Sequence, residues 1–231
     1  MNRPSHIPLR LATLLFAMLL GLQCVWLLLT EFRRPATHQL PTDAAAAAEA
    51  RSSRADATWA ATVGAIRGEL WAEAAFTYAD LMWGDAARGA DLTQVLARAH
   101  ASVNRALDDA PHQSDVWLLL AGLALRYPLP NISAQEALKM SYYTGSSELD
   151  LAPMRLRIAT HSETFSDIEL REFISRDMRL LLAHQQTTAL ASAYNTASAS
   201  GKHFIEQTVG DIDPTFAKSL RAGAGGQPLQ D

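Results

Sequence analysis

A chain of 231 residues, 48% hydrophobic and 19% charged, is long enough for one folded domain plus an anchoring segment. The net charge is −4, and residues 35–231 hold 16 basic against 23 acidic side chains. That balance argues against a nucleic-acid partner, which needs a basic stripe, and against a domain that lies on an anionic lipid surface. The single cysteine, Cys24, excludes an internal disulfide and a cysteine metal cluster.

Residues 1–10 form a short tail. Leu11 to Thr30 then runs without a charged side chain. Twenty residues at about 1.5 Å each reach roughly 30 Å, the thickness of a hydrocarbon core, so residues 11–30 are predicted to be a transmembrane helix in contact with the lipid bilayer. Trp26 lies inside the run and Phe32 just past it, near an interface. A cleaved secretory signal would have a shorter apolar core and a small-residue cleavage site. Leu22-Gln23-Cys24 resembles a lipoprotein signal only superficially, because the apolar run continues past the cysteine. Arg3 and Arg10 before the span nearly balance Arg33 and Arg34 after it. A short segment ahead of a first span usually stays inside, which leaves the acidic domain outside the cytoplasm. The expected location is a bacterial inner membrane, single-pass, with the C-terminal domain in the periplasm.

Residues 31–43, with two prolines and no periodicity, read as a linker. An all-α domain is predicted over 44–222 and a flexible glycine-rich tail over 223–231. The five alanines from Ala44 favour a helix that continues toward Gly84, with an interruption near Ser52-Ser53. Trp59, Val63, Ile66 and Leu70 form its apolar stripe, and Arg67, Glu69 and Glu73 its polar face. Asp91, Ser133 and Ser166 each precede an acid or amide by three residues, the pattern of a capping box, and Phe165 with Leu170 fits a hydrophobic staple around Ser166. Tyr127-Pro128 ends the helix that starts near Ser114. Leu190 and Tyr194 anchor a helix over 185–199 that Gly201 breaks, and Asp213-Pro214 opens the last one. No stretch alternates with period two long enough for a sheet.

Ala99, Val103 and Ala106, then Pro111, then Trp117, Leu120 and Ala121, place small residues on one helix face, a turn, and a tryptophan on the next helix. This junction resembles the tetratricopeptide repeat (TPR), which alternates two helices over about 34 residues. Trp71 and Tyr78 have the first-helix spacing of an earlier unit. About a dozen residues beyond the period separate Tyr78 from Ala99, and Leu149 stands where the next proline belongs. The resemblance, over roughly residues 69–159, implies TPR-like antiparallel helix pairs in an α-α superhelix, a right-handed helical repeat.

The seven histidines show no metal-ligand pairing, and no nucleophile elbow or phosphate-binding glycine loop occurs, so no catalytic, metal or cofactor residue is assigned. Glu148 and Asp150 read as capping and solvated acids. Asn131-Ile132-Ser133 matches a glycosylation pattern that its helix-capping serine already explains. Tyr142, Tyr143, Arg155 and Arg157 are the candidate partner-binding surface, because aromatic and arginine side chains anchor interfaces. The reading is a non-enzymatic, membrane-anchored scaffold for protein partners in the cell envelope, similar by analogy to accessory factors of surface-polysaccharide export. A glycan-acting envelope enzyme with carboxylates from separate helices, and a structural subunit of a membrane complex, are the alternatives.

Overall fold

The computed structural model describes residues 7–35, 38–83, 90–127, 132–161 and 167–224, and all regular structure among them is helical. The apolar N-terminal segment is one continuous helix, α1 (Ile7–Phe32), of which Leu9–Phe32 is long and apolar enough to cross a membrane. Residues 9–25 are exposed on every side. The first contacts with the rest of the chain are made by Trp26, half-buried, and Thr30, fully buried. Part of the expected linker is packed too: Pro35, Leu40 and Pro41 are buried and Arg34 is largely covered.

The alanine-rich region is three helices, not one: α2 (Ala44–Ser52), α3 (Arg54–Val63) and α4 (Gly68–Phe76), followed by the 3-10 turn Ala79–Met82. Asp43 caps α2 by accepting from the Ala46 N–H at 2.8 Å, and Ser53 separates α2 from α3, where an interruption was expected. The further break at residues 64–67 redirects the stripe. Ile66 is left 76% exposed, whereas Glu73, assigned to the polar face, is 3% exposed and buried by α4.

The core pairs α4 with α5 (Ala90–Asp109) and α6 (Ser114–Arg126) with α7 (Ala134–Thr144). The predicted junction sits in it: Tyr78, Ala99, Val103, Ala106, Leu120 and Ala121 are buried, and Pro111 is exposed. Trp71 and Trp117 are half-buried, their indole N–H groups donating to Ala65 O (3.2 Å) and Pro111 O (2.8 Å). Helix α6 is central, with Leu118, Leu119, Leu120 and Leu123 all at 2% exposure or less. Each such leucine contributes about 1.5–3 kcal/mol of burial. Tyr127 terminates α6, as expected from the proline that follows.

The remaining helices are α8 (Ala152–His161), α9 (Ile168–Ala183), α10 (Thr187–Thr196), α11 (Ala199–Ile212) and α12 (Pro214–Ala224), with α8 packed on both α9 and α10. Leu190 and Tyr194 point inward. The Ser133–Glu136 capping box is present in full. Asp91 falls inside α5, which already begins at Ala90. Ser166 and Phe165 lie outside the described residues, and the cap of α9 is Asp167, which accepts from the Glu169 and Leu170 N–H groups. Asp213 caps α12 through Thr215 and Phe216. Gly201 does not break a helix but lies within α11. A Cβ there would stand 2.2 Å from the Thr160 carbonyl oxygen, so glycine is what lets α11 touch the end of α8.

Candidate functional site

The four predicted surface residues lie on α7 and α8 but do not form one surface. Residues two apart on a helix point about 200° apart, so Arg155 and Arg157 leave α8 in opposite directions. Tyr142 and Arg155 are both fully buried, and only Tyr143 (55% exposed) and the half-buried Arg157 reach solvent. This corrects the expectation for the first two, which are core residues.

The inward pair builds a charged cluster between α7, α8 and α9. Arg155 donates from Nε to Ser141 Oγ (3.0 Å) and from Nη2 to Ser141 O (2.6 Å), and its guanidinium lies 4.7 Å from the Tyr142 ring centroid. The Tyr142 hydroxyl donates to Asp177 Oδ2 at 2.8 Å, and its ring stacks on Phe173 with centroids 5.0 Å apart. Burial pushes the Asp177 carboxyl up to about 6, and the same burial lowers the Arg155 value. At 1% exposure Asp177 is enclosed, so its weakened acidity concerns packing rather than a substrate. On the outer side, Tyr143 donates to Glu169 Oε1 (2.7 Å), and Lys139 Nζ lies 3.2 Å from the other oxygen, Oε2.

Arg157 defines a different place. Its guanidinium lies 3.4 Å from the centroid of Trp83, the residue that ends the 3-10 turn after α4. Met82, Trp83, Leu125, Arg126, Arg157 and His161 line an open cavity of about 500 Å³. Arg126 donates from Nη1 to Met82 O (3.1 Å), and His161 Nδ1 is 3.1 Å from Thr196 O. Burial lowers the Arg157 value to about 10, and no carboxylate pairs with it among the described residues. Trp83, Arg126 and His161 carry no local sequence signal as site residues. They come from three helical segments separated by more than thirty residues and meet only through packing. No protein family, curated protein or solved structure matches the chain. What is defined is therefore a class: a protein whose described residues are all-helical, with one helix among them able to cross a membrane and a cavity lined by Arg126 and Arg157 in the helical body.

Proposed function

We propose that this protein is a membrane-anchored, TPR-like scaffold whose cavity docks an acidic segment of a partner protein. The observation that carries the reading is the Arg157–Trp83 stack. A guanidinium held over an indole, beside a second arginine and facing an open cavity, is arranged to receive a carboxylate. Consecutive antiparallel helix pairs suit such a role because their stacking leaves concave surface for a partner. The proposed setting is the envelope of a bacterium, with α1 in the inner membrane and the helical body in the periplasm.

A photoreactive amino acid placed at His161 tests this in intact membranes. Crosslinked partner species are expected from the wild-type background and lost in the Arg126→Ala/Arg157→Ala background. Identical adducts in both backgrounds would exclude the cavity as the docking site. A reporter active only in the cytoplasm, fused after Asp231, is expected to be silent.

A further inference from the structure

The turn between α3 and α4 lies beside the last two turns of α1. The Trp26 indole N–H donates to Val63 O at 2.8 Å, and Arg67 donates to Thr30 Oγ1 (2.9 Å) and to Glu31 Oε1 (2.8 Å). Residues 63–67 therefore sit level with residues 26–31. That level is inside the apolar Leu9–Phe32 segment, not beyond it. At the same height α1 presents Leu28 (69% exposed), Leu29 (48%) and Phe32 (88%). On the turn itself, Ile66 is 76% exposed, one of the few large apolar side chains outside α1 that face outward.

We propose that the turn 63–67 is a second membrane contact, with the Ile66 side chain embedded in the phospholipid bilayer next to α1. The inference rests on α1 spanning the membrane. If it does, water-exposed positions for Ile66, Leu28, Leu29 and Phe32 become lipid-exposed ones, and their exposure is explained together. The local charges agree. Glu31 and Glu69 are both taken up by Arg67, and Arg33 stands 3.9 Å from Asp56 while lying over Trp59. Arg105 Nη2 donates to Ala65 O at 3.3 Å. The acidic excess of the domain is thus not presented where the turn meets lipid, and a long arginine side chain such as that of Arg67 can keep its charged end turned toward the membrane surface. The helical body is seated on the bilayer at two apolar points.

The full chain, with Cys24→Ala as a cysteine-free background, is reconstituted in phosphatidylcholine vesicles. It carries a nitroxide on one introduced cysteine at a time: Ile66→Cys, Leu28→Cys, Leu19→Cys or Ser192→Cys. Power saturation compares access of oxygen, which partitions into lipid, with access of a water-soluble nickel chelate. The oxygen-to-nickel ratio at position 66 is expected to match that at position 28 and to exceed that at the exposed position 192 several-fold. A ratio at 66 equal to that at 192, with 19 reading as lipid, overturns the second contact and leaves the anchor intact. A water-like ratio at 19 as well would overturn the anchor and the proposal with it.

Discussion

Two buried charges in this molecule are accommodated in opposite ways. Glu73, on α4, is met directly by cations. Arg34 Nε lies 2.9 Å from both carboxylate oxygens, Nη2 lies 2.6 Å from Oε1, and His38 Nδ1 lies 2.8 Å from the same oxygen. This contact holds the Arg34 value above its ordinary range. Arg155, on α8, has no such partner. Asp177, the carboxylate whose charge bears on it most, is bonded to the Tyr142 hydroxyl, and Arg155 Nη1 has no hydrogen-bond partner among the described residues. The first cluster is closed by a bidentate ion pair at the foot of α1. The second holds its charge by an aromatic face and by the hydroxyl and carbonyl of Ser141. A buried charge with a direct counter-ion depends on that counter-ion, whereas one without it has less to lose.

The same substitution separates the two. Arg34→Met strands Glu73 and is expected to destabilise the chain by about 3 kcal/mol, because breaking a buried pair leaves an uncompensated charge. The measurement is chemical denaturation of the detergent-solubilised protein. A loss below about 1 kcal/mol would mean that His38 alone suffices, and the comparison would fail.

Asp177 supplies the next test, through pH. Its folded-state value, about 6, lies above the ordinary carboxyl value of about 4. The folded chain therefore keeps this proton longer than the unfolded one. The stabilising contribution is full below about 4, is lost as pH rises to about 6, and changes no further above that. Asp177→Asn removes the dependence. Between pH 4 and pH 7 the wild type is expected to lose about 2–3 kcal/mol relative to the variant. Parallel stability profiles would show that Asp177 is not held protonated by its surroundings.

Arg155→Met is expected to be the mildest, within about 1.5 kcal/mol of wild type at neutral pH. An apolar side chain of similar length replaces a charge that the site only partly satisfies. A loss as large as that of Arg34→Met would erase the distinction between the clusters.

Much of the fold was legible in the sequence. Apolar periodicity and caps at Ser133 and Asp213, with Pro128 after Tyr127, mark helix ends by local chemistry, and local chemistry is what a sequence displays. The break at residues 64–67 was missed although Gly64, the C-cap of α3, and Gly68 flank it, because Ile66 fits the helical stripe. The turn is held against α1 by Trp26–Val63, Arg67–Thr30 and Arg67–Glu31, contacts between segments distant in the chain. The candidate site was half legible. Arginines and tyrosines on α7 and α8 were singled out, but spacing along a chain does not say which of two neighbouring residues turns inward. Trp83 and Arg126 joined Arg157 only through contacts between distant segments.

Trp26, Thr30, Glu31 and Arg34 together clamp the end of α1 to α3 and α4. A rod fastened to its load at four positions behaves as a rigid lever rather than a rope. Any tilt of α1 must then swing the helical body through the same angle. The cavity beside Trp83 would turn with it, because no slack lies between the two.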